Sequence, residues 1–137
     1  MSTGGDRSQL PSLYLSFNWS NAKVWALELA VHEVPLSDLE WHLAIPVWST
    51  VPGRRLFDLA PMTVLEHPRE HGRHYARVLD TSVHYPIDTI LWEGAWVILD
   101  GVHRLAKLWL ARARNVRIRR VPPSLSSLIH SEEETDD

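Results

Sequence analysis

The passage from Pro86 to Val121 constrains this chain more than any other. Two short apolar runs, 87–92 and 95–99, flank Glu93-Gly94 and predict a β-hairpin. Asp100-Gly101 breaks the second run. From Val102 to about Arg114 the spacing is helical, with Leu105, Ala106, Leu108 and Trp109 sharing a face while Lys107, Arg112 and Arg114 reach solvent. Residues 116–121 form a last strand that Pro122-Pro123 stops. Hairpin, helix and returning strand predict an α+β fold: a small mixed sheet with two or three helices.

Upstream, alternation of apolar and polar residues predicts strands at 13–17 and 24–34. Trp25, Leu27, Leu29 and Val31 lie on one face of the second, and Ser20-Asn21-Ala22 turns between the two. Pro35 ends that strand, and Ser37-Asp38 reads as a loop or a short helix start. Residues 45–65, with Pro46, Pro52, Gly53 and Pro61, show no sustained period and predict an irregular excursion. Pro68 suits the first position of a helix running to Asp80. This divides the chain into a flexible leader (1–12), one domain (13–123) and an acidic tail (124–137) with a short apolar contact at 125–129.

A chain of 137 residues, 45% of them apolar, builds one core. It has no apolar run of membrane-spanning length, and its first residues are polar, so a cytoplasmic setting without membrane contact is expected. The absence of cysteine excludes disulfides, thiolate metal sites and thiol nucleophiles. The net charge of -3 is concentrated in Glu132, Glu133, Glu134, Asp136 and Asp137. Arg112, Arg114, Arg117, Arg119 and Arg120 form a basic cluster that a solvated helix end and edge strand explain, so DNA is not an expected partner.

The chemistry is expected at Asp100-Gly101-Val102-His103-Arg104. A glycine admits close backbone approach, and the first turn of a helix offers unpaired N–H groups with partial positive charge. Arg104 adds a planar fork for phosphate or carboxylate oxygens and His103 a further donor. Asp100 either holds a metal-bound water or orients one of those donors. The plain structural alternative is an Asp cap, a Gly turn and a salt-bridging Arg.

Three segments, His32-Glu33-Val34-Pro35-Leu36-Ser37, Pro86-Ile87-Asp88-Thr89-Ile90-Leu91-Trp92 and Asp100-Gly101-Val102-His103-Arg104, resemble in order and spacing the motifs of the ParB/sulfiredoxin superfamily. The resemblance spans residues 32 to about 121. It implies a ParB-like nucleotide-binding domain in which Gly101, Val102, His103 and Arg104 hold phosphate. The sulfiredoxin cysteine is replaced by Val102, so sulfiredoxin chemistry is excluded. The loop more closely resembles that of the free serine kinases, whose base is a glutamate after the first strand. The matching position here is Leu43, and Glu40 is the nearest substitute. ParB proteins that partition DNA need a helix-turn-helix region that this sequence does not supply.

Arg69, Arg73 and Arg77 recur every four residues along the expected 68–80 helix. The resemblance implies that this helix faces the nucleotide, with Arg69 and Arg73 as contacts; a solvated face paired with Glu66 or Glu70 explains them equally. His67, His71 and His74 share that spacing but lack a complete ligand set, so no protein-held metal is expected. Trp92, Trp96 and Trp109 are read as core, and Trp41 and Trp48 as core or as a pocket or partner contact. The resulting expectation is a domain using ATP or another nucleoside triphosphate with Mg2+ for phosphoryl transfer to, or hydrolysis with, a small molecule, Glu40 and Asp100 serving catalysis. The alternative is a non-catalytic, nucleotide-responsive module that meets a protein partner through the Trp41/Trp48 region.

Overall fold

The computed structural model describes residues 19–51, 53–54 and 56–131. The leader, the expected 13–17 strand and the acidic end of the tail lie outside the described residues. The fold is α+β: a four-stranded mixed sheet in the order β1-β4-β2-β3. Its strands are β1 (Val31–Pro35), β2 (Ile87–Trp92), β3 (Ala95–Asp100) and β4 (Asn115–Val121). β1 and β3 run antiparallel to their neighbours, whereas β2 and β4 are parallel and joined through a crossover helix.

Four α-helices are described: α1 (Asn21–Trp25), α2 (Pro61–Glu66), α3 (Gly72–Asp80) and α4 (Val102–Leu110). Short 3-10 helices occupy Leu36–Asp38, Glu40–Ala44 and Pro123–Ile129. The hairpin, α4 and β4 are where the sequence predicts them, with α4 ending four residues before Arg114. The expected 24–34 strand is corrected: its first part is α1, because the Ser20 hydroxyl caps Lys23 N–H and starts a helix instead of a turn. The strand itself is Val31–Pro35. Pro68 to His71 form a turn, so the expected 68–80 helix begins at Gly72 and Arg69 stands outside it. The irregular excursion ends early at α2, which Pro61 opens.

The sheet is covered on both faces. On one, α2, α3 and α4 pack over Val34, Ile87, Ile98, Val116 and Ile118. On the other, Val24 of α1 and Ile129 of the last 3-10 helix cover Ile90, Val97, Leu99 and Val121. The expected contact at 125–129 is therefore part of a second core. His42 is fully buried: Nδ1 donates to Leu39 O at 2.8 Å and Nε2 accepts Ile98 N–H at 3.0 Å. It ties the 3-10 segment to edge strand β3, and burial lowers its pKa to about 4.

Candidate functional site: the start of α4 and the row of charges beside it

Gly101 precedes α4 with φ +122°, a conformation that L side chains rarely adopt. No side chain caps the helix and no acidic residue lies in its first turn, so its orphan N–H groups keep their partial positive charge. Two arrangements flank this helix start.

On the helical side, His103 stacks on Trp48 with ring centroids 4.3 Å apart, and His74 of α3 stacks on the same indole at 5.2 Å. His74 Nε2 donates to Ser49 O at 2.6 Å. The second nitrogen of His74, Nδ1, and Nε2 of His103 are buried with no hydrogen-bond partner among the described residues. Burial, helped by the positive charge of Arg77 and by His74, lowers the His103 pKa to about 4. The unsatisfied His103 nitrogen, the uncapped helix start and Arg77 lie together, and Asp100 is the carboxylate that acts on His103 against Arg77.

On the other side lies a row across the sheet. Backbone register sets Asp100 opposite Asp88, Asp88 opposite Arg119 and Arg119 opposite Val31. Strict alternation would put Asp100 on the face of Ile98. A bulge at Leu99 adds a residue to β3 and turns Asp100 to the face of Asp88. Arg119 donates from Nε to Asp88 Oδ1 at 2.6 Å, from Nη1 to Leu27 O at 2.8 Å and from Nη2 to Val24 O at 3.0 Å. Burial pushes the Asp88 carboxyl above its ordinary range, against the pull of Arg119. Asp100 Oδ2 accepts Trp25 Nε1–H at 2.8 Å and Arg104 Nη2–H at 3.4 Å, and Arg104 Nη1 donates to Pro86 O at 2.9 Å.

The expected site residues are thus distributed. Gly101, Val102, His103 and Arg104 share the helix start, but the Arg104 guanidinium directs two of its N–H donors to Pro86 O and Asp100 Oδ2. A Cβ on Gly101 would meet Arg104 Nη1 at 3.0 Å and Ile87 side-chain carbons at 3.1 and 3.2 Å, so the glycine makes room for that arginine. Asp100 serves as an acceptor that orients Arg104 and Trp25. Glu40 accepts Trp109 Nε1–H at 3.3 Å near the far end of α4, about 13 Å of helix away, and lines a separate groove with Arg112 and Arg114. Arg69 lies on an exposed turn and Arg73 on an exposed helix surface, while Arg77 and His74 act on His103.

The basic cluster of β4 divides as well. Arg117 donates to His84 O, Arg119 is paired with Asp88, and Arg120 lies over Trp96 at 4.6 Å from the ring centroid. Trp92, Trp96 and Trp109 are partly buried against the cores, and Trp48 is core. No group of three or more potential metal ligands occurs among the described residues. Sequence reasoning missed Asp88, Arg119, Trp25, Tyr85 and the Trp48 stack. The Asp-Arg pairing depends on register, and only the helical phase of His74 and Arg77 was legible.

Comparison with family models, with curated proteins and with solved structures gave no match. What this site can do therefore follows from its own geometry.

Proposed function

We propose that this chain is a nucleotide-binding domain that holds phosphate at the first turn of α4, as the likeness of its motifs to the ParB/sulfiredoxin superfamily suggests. One observation carries the reading: an uncapped helix start flanked by the unpartnered Nε2 of His103 and by Arg77. A phosphate group accepts from the backbone N–H groups, from Arg77 and from His103 Nε2 in the tautomer that carries the ring proton there, whereas His74 Nδ1, whose ring proton is on Nε2, is an acceptor and takes no part. Of the arginine stripe 69, 73 and 77, Arg77 is the member that acts on His103, and this reading gives it the phosphate contact beside the helix start. Magnesium would accompany the triphosphate as ligand of its oxygens. No helix among the described residues is long and apolar enough to cross a membrane, and a cytoplasmic setting belongs to the proposal.

Such a domain either transfers phosphate to a small molecule or responds to nucleotide without chemistry. The separation of Glu40 from Asp100, and the engagement of Asp100 by Trp25 and Arg104, favour the second form, in which a protein partner reads the bound state. Calorimetry with ATP-Mg2+ and CTP-Mg2+ tests binding: Arg77→Ala and His103→Ala are each expected to weaken it about ten-fold or more. Absence of binding to wild type removes the proposal. Conversion of ATP to ADP with hydroxylated amino acids, lost in Glu40→Gln, would overturn the non-catalytic form and leave the binding site intact.

A further inference from the structure

A cleft of about 530 Å³ opens on the sheet face opposite α4, lined by Trp25, Tyr85, Pro86, Asp88, Arg104 and Arg119. Its volume is that of an ordinary small-molecule site. Two large aromatic side chains stand exposed there, Trp25 at 58% and Tyr85 at 62%. Exposed rings are usually mobile, yet both are anchored. Trp25 is held by its indole N–H on Asp100, and the carbonyls of Val24 and Leu27 on either side of it are held by Arg119. Tyr85 sits between the carbonyls of His84 and Pro86, which accept from Arg117 and Arg104, and it packs edge-on against the His84 ring at 5.3 Å. Polar side chains thus hold the Trp25 indole and the backbone on either side of Tyr85, while more than half of each residue's surface stays exposed.

The charges of the cleft choose among ligands. Arg104 uses two of its five N–H donors and Arg119 three, so both retain donors beyond their protein partners. Each guanidinium is paired with a carboxylate, Arg119 with Asp88 at 2.6 Å and Arg104 with Asp100 at 3.4 Å. The donors left over on two guanidinium groups suit an acceptor, and a planar carboxylate matches their fork geometry. We propose that this cleft binds a planar aromatic carboxylate, its ring against Trp25 and Tyr85 and its carboxylate toward Arg104 and Arg119. The site is independent of the phosphate site: it lies on the other face of the sheet and uses different side chains.

The probe is 2-naphthoate, added to the full chain and followed by calorimetry and by the indole N–H resonance of Trp25, which is assigned through its loss in Trp25→Phe. Saturable binding that moves this resonance is expected, about ten-fold tighter than for the neutral 2-naphthamide. Tyr85→Ala, which removes an exposed ring, is expected to lower affinity about five-fold without unfolding the protein. The proposal is overturned if the amide or a naphthyl trimethylammonium binds as tightly as the carboxylate. It is equally overturned if the Trp25 resonance does not respond, or if Tyr85→Ala leaves affinity unchanged. Inorganic phosphate is expected to leave the Trp25 resonance in place; movement by phosphate would make the cleft a general anion site and sink the aromatic assignment. Neither result bears on nucleotide binding at α4, which Arg77→Ala reports separately.

Discussion

Asp88 and Arg119 illustrate how much one side chain can depend on another here. The pair is nearly enclosed, with side-chain exposures of 4% and 14%, and Arg119 also secures the end of α1 through two carbonyls. Removing the carboxylate alone leaves a buried charge without its counter-ion. Asp88→Ala is therefore expected to cost about 3–5 kcal/mol in urea unfolding, whereas Asp88→Leu with Arg119→Met recovers much of that loss. The histidines act in the opposite electrostatic sense, through being kept neutral. His42 and His103 have pKa values of about 4 in the folded chain against 6.5 ordinarily. Between these values the unfolded chain binds more protons, so stability is complete above pH 6.5 and is lost as pH falls toward 4. Unfolding free energies from denaturant titrations between pH 7.5 and pH 5 should fall, by up to about 1.4 kcal/mol per pH unit for each histidine. His42→Gln should remove its share of that slope.

Among the elements, α4 depends most on one residue outside it. Gly101 has a left-handed φ and little room for a side chain. Gly101→Ala is expected to destabilise by about 1–3 kcal/mol, and the melting temperature measures this directly. The same change displaces Arg104 from Pro86, so ligand affinity in the Trp25/Tyr85 cleft should fall with it. At α1 the determinant is Ser20, whose hydroxyl supplies the cap. Ser20→Ala is expected to cost about 1 kcal/mol. α1 also shows why a local pattern can mislead: Trp25, Leu27 and Leu29 alternate as in a strand, yet a capping side chain and the arginine on Val24 O and Leu27 O favour a short helix and turn. Five residues are too few to reveal a helical period.

At the scale of the molecule, stability is shared between two cores on opposite faces of one sheet. The smaller depends on the C-terminal 3-10 helix, where Ile129 is fully buried, Ile129 O accepts Ser20 N–H at 2.8 Å and His130 O accepts from Lys23 Nζ at 2.9 Å. Ending the chain at Pro122 is expected to cost about 3 kcal/mol or more, because Ile129 and Leu125 no longer cover Ile90, Val97 and Val121. Amide exchange should then accelerate in α1 more than in α3. The cleft and the start of α4 lie on opposite sides of the sheet end, joined by Arg104, which begins in the helix and ends in the wall of the cleft.

The sequence by itself determined the α+β class, the hairpin, the helix after Asp100-Gly101 and the last strand. Each of these follows from local periodicity or from a residue that stops it. It also singled out Gly101 and His103, because a glycine break before a helix is a local signal. Only the tertiary structure decided which cations stand beside His103, that Asp100 turns to Asp88, and that Arg104 and Arg119 wall an aromatic cleft. Those relations depend on strand register, on a one-residue bulge and on the packing of α3 against α4. They join residues far apart in the chain, and no short-range pattern carries them.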